Sequence, residues 1–483
     1  MNPRDPDAVP PPALAVHGGA GGTAARLDDL EAAGARLREA AGAMAWIAVE
    51  AAGIAADPAC AVTAVASPVT WWEAERSLAS ALAGRAGAVL VAARFTGLSA
   101  GAGAAVAAYR GADAAAAAVV RAVDTAAGEA AGRFLAGPLV IAAVATAPLL
   151  ARSGADLPAV AQGLADLLAA HPGVVEHVVD AAPGAAQGFL GASPLLALLA
   201  VLPDNPAVPL RVPSTAGWIG TAGRVMPWLR ESDGVTVRQG PRAPVAPPGG
   251  LADLVGGIVD LDPAAGAPPG TVRVTALRAA DGRRSWVVQI PGTQSWSPVP
   301  RADPFDLTGN VHAMAGRSTA GGRTVTAALT LAGARPGEPV LLAGHSQGGM
   351  VAAQLAADPA FRSRFTVTHV VTAGSPIAAA PIPASVAVLS LEHDHDLVPR
   401  LDGEPNPDRA GWVTVSAAAE PPGGAPDAVS SHEAARYADT AAAVDASSDE
   451  GLRRWRAGLA PFVAGDGVTA TAVLVTGERA PAS

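Results

Sequence analysis

The chain has no lysine, and all 33 of its basic residues are arginine. Together with the excess of alanine, this fits a coding bias better than a binding role. Against the arginines stand 43 acidic residues, for a formal net charge of −10. That balance disfavours nucleic acid or an anionic membrane surface as the main partner. A single cysteine, Cys60, excludes any intramolecular disulfide, so packing alone must hold the fold. Aromatic residues are scarce too, at 4 % of a chain that is half hydrophobic, and the core must therefore be built from small and aliphatic side chains. Met1 to Ala13 is polar and proline-rich, without a basic stretch leading into an apolar run. This predicts no Sec signal peptide, and hence a cytoplasmic protein or one exported by another route.

At 483 residues the chain exceeds one ordinary core, and the composition divides it. Residues 1–22, rich in Pro, Gly and Ala, read as a flexible leader. From Thr23 apolar residues recur at spacings of three and four (Arg26-Leu27, Leu30, Ala33, Leu37, Ala40, Met44, Ile47), which predicts an amphipathic helix of roughly thirty residues. A second helix is expected near Thr70, with Thr70 as N-cap and Glu73 at capping-box spacing. Ala-rich helices over about 74–95 and 102–130 follow, and one more over Leu157 to Ala170. The apolar runs Phe134 to Ala151 and Gly188 to Leu202 fall short of the ~20 strongly apolar residues of a membrane span, so buried helices and no stable transmembrane span are expected. Residues 23–205 thus form an all-α domain.

Residues 206–265 read as a Pro/Gly-rich connecting segment with a short helix around Leu251 to Ile258. After it the period changes. Thr271 to Leu277 alternates, Asp281-Gly282 makes a turn and Ser285 to Ile290 returns as a hairpin. Helix (317–332), strand (Val340 to Ala343), helix, and strands at Val367, Ser385 and Trp412 follow, with a closing run at Val468 to Thr476 that fits an edge strand. Strands alternating with helices imply a largely parallel sheet covered on both faces, an α/β domain over 266–483.

Within it, Gly344-His345-Ser346-Gln347-Gly348 joins an apolar strand to an amphipathic run. That context suits a nucleophile elbow, where a serine in a strained turn leaves no room for side chains two residues away. A serine needs a base, and the base an orienting carboxylate. After the 385–391 strand comes Glu392-His-Asp-His-Asp-Leu-Val-Pro399, and after the Trp412 strand comes His432. Asp396 is the preferred acid and His432 the base, with Asp394 as the alternative acid on the same side of an extended segment. His393, Asp394, His395 and Asp396 also invite a metal reading. No other His or Cys group lies at metal-site spacing, so neither metal nor cofactor is expected. For an oxyanion, the backbone N–H of Gln347 and a second donor from Pro291-Gly292-Thr293 are in the right places.

These strings together resemble the class-three lipases of the α/β-hydrolase fold, the fungal triacylglycerol lipase type. The resemblance covers the last ~200 residues through Pro291-Gly292-Thr293, Gly344 to Gly349, Gly374-Ser375-Pro376, Asp396-Leu397-Val398-Pro399 and His432. It implies a serine esterase acting through an acyl-enzyme on a small-molecule or lipid ester, with Ser346, Asp396 and His432 as triad and Thr293 and Gln347 as oxyanion donors. Proline stands at 291 where the family has arginine, and glutamine at 347 where it has leucine. The family's helical lid corresponds to Trp296 to Ala315, whose Trp296, Phe305, Leu307, Val311 and Met314 suit either a cover over an acyl site or a packed-down segment. An acyltransferase using the same triad is a further alternative.

The helical domain is similar to small helical substrates of the actinobacterial type VII export route. Tyr109-Arg-Gly-Ala-Asp113 fits their Tyr-x-x-x-Asp tail, while the Trp-x-Gly turn is missing and Trp71-Trp72-Glu73 is nearest. That similarity implies contact with secretion machinery or a chaperone, and an exported effector or interaction protein as the alternative to an enzyme.

Overall fold

The computed structural model describes residues 12–153 except 56, 58–61 and 63–65, the single positions 181 and 216, and 229–480 except 298 and 419–427, with the side chains of 130–153 left out. The expected helix at 157–170, the apolar run at 188–202 and the first part of the Pro-rich stretch, 203–228 except 216, lie outside the described residues. Contacts divide the chain into residues 23–119 on the one hand and residues 1–22 with 120–483 on the other.

The first unit is helical. It contains α1 (Thr23–Ala55), α2 (Pro68–Ala83) and the first half of α3 (Ala88–Ser153). Helices α1 and α3 run antiparallel: Arg110 reaches Asp28 at 2.6 Å and Glu31 at 3.1 Å, while Gly34 lies over Ser99 and Ala102. These ion pairs are half-exposed and contribute little, about 0–1 kcal/mol each. Burial is sparse, with Ala25, Ala41, Ser99 and Val106 inside and Trp46, Ile54, Trp72, Leu98 and Tyr109 outside. The helices differ from expectation in two places. Helix α2 starts at Pro68 behind Ser67, not at Thr70, because proline's fixed φ suits the first turn and its missing N–H costs nothing there. The break expected between 95 and 102 does not occur, since flanking alanines carry the helix through Gly97, Gly101 and Gly103. Among the described residues one helical stretch, Pro68–Glu129, is long and apolar enough to cross a membrane, by length and composition only.

The second unit is built on a nine-stranded mixed sheet. Its strands are β1 (Leu14–Gly18), β2 (Val235–Val245), β3 (Thr271–Arg278), β4 (Arg284–Ile290), β5 (Pro339–His345), β6 (Thr366–Ala373), β7 (Ala387–His393), β8 (Trp412–Ala417) and β9 (Thr469–Arg479). They lie in the order β1-β8-β7-β6-β5-β4-β3-β9-β2. Strands β4 to β8 are parallel, and antiparallel strands extend both sides. The period of two along each parallel strand feeds two cores. Val340 and Leu342 face one with Val288, Val370 and Val388, and Leu341 and Ala343 face the other with Val287, Val371 and Leu389. Helices α4 (Leu251–Val259), α5 (Leu307–Met314), α6 (Ala320–Ala332), α7 (Gln347–Ala357), α8 (Ala434–Ala446) and α9 (Glu450–Ala457) cover these faces. This is the α/β-hydrolase arrangement expected for the C-terminal region.

Three segments differ from expectation. Leu14–Gly18, read as leader, pairs antiparallel with β8, and its Leu14 and Val16 pack against the second core. Val235–Val245, read as connecting segment, is an edge strand whose register slips between Gln239 and Arg242. Pro241 sits in that irregularity, where a missing N–H breaks no ladder bond. The final strand β9 is interior, paired on one side with β3 and on the other with β2.

Near the end of β9, Arg479 is nearly fully buried and spans several segments. Its guanidinium donates to Asp306 at 2.5 and 2.8 Å, to Glu231 at 2.9 Å, and to the carbonyls of Arg301 and Asp303. Removing one side of such a cluster leaves buried carboxylates without a counter-charge. Arg479→Ala is therefore expected to lose about 3–5 kcal/mol in urea unfolding; a loss under about 1 kcal/mol would mean the cluster does not hold the fold.

Candidate active site

Strand β5 ends at His345 and α7 begins at Gln347, so Ser346 makes the whole turn. Its φ of 52° and ψ of −122° lie where a residue with a β-carbon is strained, at a cost of about 1–3 kcal/mol. The turn is possible because its flanks are glycines. A methyl on Gly344 would lie 2.2 Å from the Gly348 carbonyl, and one on Gly348 would lie 2.3 Å from the Ile290 carbonyl oxygen. The Ser346 N–H is held by the Ala373 carbonyl of β6 at 2.9 Å.

The two following loops bring the partners. Asp396 lies in the turn after β7 and His432 just after the short helical turn Ala428–Ser431. His432 Nδ1 is 2.7 Å from Asp396 Oδ2, and His432 Nε2 is 2.9 Å from Ser346 Oγ. An ionised carboxylate only accepts, so Nδ1 carries the proton and Nε2 is left to accept from the Ser346 hydroxyl. Asp396 is buried and its other oxygen accepts the Val398 N–H at 2.9 Å. The three residues read from the sequence as nucleophile, acid and base are thus one hydrogen-bonded row. Asp394, the alternative acid, has its N–H on the Ala417 carbonyl at the β7–β8 pair, and it is Asp396 that meets the imidazole.

The metal reading of the same loop meets a physical obstacle. Both ring nitrogens of His393 are engaged, Nδ1 with the Ser431 carbonyl at 2.7 Å and Nε2 with the Thr440 hydroxyl at 2.9 Å. Among the described residues there is no group of three or more His, Cys, Asp or Glu able to hold a metal ion.

Opposite the elbow runs Pro291-Gly292-Thr293, close enough that a methyl on Gly292 would lie 3.2 Å from Ser346 Cβ. Gln347 is the first residue of α7, so its N–H lies outside the helix's own ladder. The Thr293 hydroxyl is paired with Asn310, whose Nδ2 donates to it at 2.9 Å. Gln347 is buried and uses its side chain as a tether, with Nε2 donating to the Asp306 carbonyl at 2.9 Å. The segment compared with a lid is stitched at its neck by Gln294 N–H to the Phe305 carbonyl at 2.7 Å and Leu307 N–H to the Ser295 carbonyl at 2.9 Å. Its apolar residues divide: Phe305 is in the core and Trp296 is in solvent.

Two side chains that sequence reading passed over complete the buried wall. His345 lies 4.7 Å from the His432 ring, and its Nε2–H donates to the His432 carbonyl at 2.8 Å. Burial, reinforced by the neighbouring His432, pushes the His345 imidazole down to about 3, so it stays neutral. Tyr437 donates its hydroxyl to Asp396 Oδ2 at 2.6 Å. Nothing in the sequence motif marks Tyr437, although it is one of only two tyrosines.

A cavity of about 540 Å³ runs beside α7, with Met314, Met350, Pro376, Ile377 and Asp402 in its wall. Burial raises the Asp402 carboxyl to about 7, only partly countered by the Ala378 N–H it accepts. The unfolded chain, with an ordinary carboxyl, ionises first as pH rises, so this group lowers stability progressively between about pH 4 and 7. Asp402→Asn should match the wild type in unfolding free energy below pH 4 and exceed it above pH 7. Equal stability at pH 8 would contradict this. For the tether, Gln347→Leu should lose about 1–3 kcal/mol and speed amide exchange at Gln294 and Leu307. Unchanged exchange there would show that the tether does not hold the loop.

Residues 325–423, from within α6 to past β8, match the family described as PGAP1-like alpha/beta domain. No curated protein and no solved structure gives a match. The matched stretch contains Ser346 and Asp396, and the C-terminal unit is an α/β-hydrolase domain of a kind that suits a lipase- or esterase-like hydrolase in general.

Proposed function

We propose that the C-terminal domain is a serine hydrolase of carboxylic esters, working through an acyl-enzyme. The observation that carries this reading is the row Ser346–His432–Asp396 with the serine at the strained turn. Ser346 Oγ attacks the ester carbonyl while His432 Nε2 takes its proton. Asp396 holds the imidazole by Nδ1 and offsets the charge it gains. The developing oxyanion is received by the backbone N–H groups of Gln347 and Thr293. His432 then returns the proton to the leaving alkoxide, and a water activated the same way releases the acid and frees Ser346.

Apolar esters, acyl lipids among them, are the substrate class that the surroundings favour. Trp296, Val299, Leu401 and Val429 are exposed on the loops that follow β4, β7 and β8. The cavity beside α7 is lined mainly by apolar side chains, and Met350 in its wall is one helical turn beyond Ser346.

Purified protein should hydrolyse p-nitrophenyl esters, with longer acyl chains preferred over acetate, and Ser346→Ala should lower kcat by at least about a thousand-fold. Hydrolysis that survives Ser346→Ala, or a folded wild type inert toward every ester of the series, would overturn the reading.

A further inference from the structure

We propose that Tyr437 is a positioning residue of this site, a fixed hydroxyl donor that holds Asp396 and restrains how strongly that carboxylate supports His432. The inference rests on the triad proposed above. Three donors converge on Asp396. Oδ2 receives His432 Nδ1–H at 2.7 Å and the Tyr437 hydroxyl at 2.6 Å, and Oδ1 receives the Val398 N–H at 2.9 Å. The imidazole therefore shares its oxygen with a phenol.

The direction of the Tyr437 hydrogen bond follows from its other contact. The backbone N–H of His393 reaches Tyr437 Oη at 3.2 Å, and a backbone N–H can only donate. That occupies an acceptor position on Oη and turns the phenolic proton toward Asp396. The ring is locked as well. It stacks on the His393 imidazole with centroids 3.8 Å apart and planes 3° from parallel, and His393 is held by the Ser431 carbonyl and the Thr440 hydroxyl. Tyr437 itself is buried in the second core. Burial first, then the charge of Asp396, raises its phenol well above the usual value, so the donor keeps its proton throughout the working range.

A hydrogen bond to the charged form of a carboxylate disperses its charge. With Tyr437 in place, Asp396 stabilises an imidazolium less than it would alone. The other titratable or charged groups facing this cluster are His345, His393, Glu392 and Arg436. Burial holds the first two toward the neutral form.

The test is the pH dependence of kcat/KM for a p-nitrophenyl ester, read on its acid limb, where protonation of the base stops attack. Tyr437→Phe keeps the ring and removes the donor. The acid limb should move up by roughly half to one pH unit, and kcat should fall roughly 3–10-fold with KM unchanged. Because Tyr109 is the only other tyrosine, 3-fluorotyrosine incorporated into a Tyr109→Phe background stands at position 437 alone. Fluorine makes the phenol a stronger donor, so this protein should move the limb down, opposite to phenylalanine. A loss of packing cannot produce shifts of opposite sign, and the fluorinated protein decides the matter even where Tyr437→Phe fails to fold. An unmoved limb in the fluorinated protein, or shifts of the same sign in both, would overturn the role of Tyr437. Absence of Ser346-dependent turnover in the wild type would instead remove the triad, and this inference with it.

Discussion

The site depends on one steric constraint, the absence of side chains at Gly344 and Gly348. The Gly348 backbone lies against the Ile290 and Pro291 carbonyls at the end of β4, and Gly344 lies against Gly348. Only with both contacts does the chain reverse within one residue, which places Ser346 at positive φ and presents its hydroxyl at the carboxyl edge of the sheet. The same crowding sets the Pro291 to Thr293 loop across from the serine. The strain is met by the surrounding cores: β5 is buried on both faces, and the Ser346 N–H is tied to β6. The parallel order of β5, β6, β7 and β8 then delivers Asp396 and His432 from neighbouring loops.

This part of the molecule was legible because its chemistry is written in chain order. A serine between glycines, a carboxylate after a later strand and a histidine after the next form a pattern that local sequence carries. The hairpin β3–β4 and the alternating core of β5 were legible for a similar reason, since period and turn residues agree there. What was not legible depended on distant pairing. Leu14 to Val16 is too short and too closely flanked by proline and glycine to declare a strand until β8 offers its edge. Val235 to Val245 contains two prolines, Pro241 and Pro244, which only an edge strand with a register slip tolerates. The place of β9 inside the sheet is fixed by β2, whose own strand character was hidden. Tyr437 and His345 belong to the same class, because a buried polar side chain takes its meaning from partners that sequence spacing does not name.

The neighbourhood of the proposed nucleophile is firmly held. Arg479 secures the 301–306 segment from the far end of the chain, and the Gln347 side chain secures it from the elbow. The Gln347 side chain makes a directed hydrogen bond from the elbow helix to the Asp306 carbonyl at the start of α5. Rigid donors aimed at a developing charge need little reorganisation when it forms. The helical unit of residues 23–119 contrasts with this: among its described residues the few buried ones are mostly small, and many large apolar side chains are exposed.

Activation of Ser346 as a nucleophile by His432 is measured by treating the folded protein with a fluorophosphonate and locating the adduct by peptide mass spectrometry. One equivalent of phosphonylation is expected on Ser346, formed faster as pH rises through the acid limb. A folded protein that takes up no label, or one labelled at another residue, would contradict it.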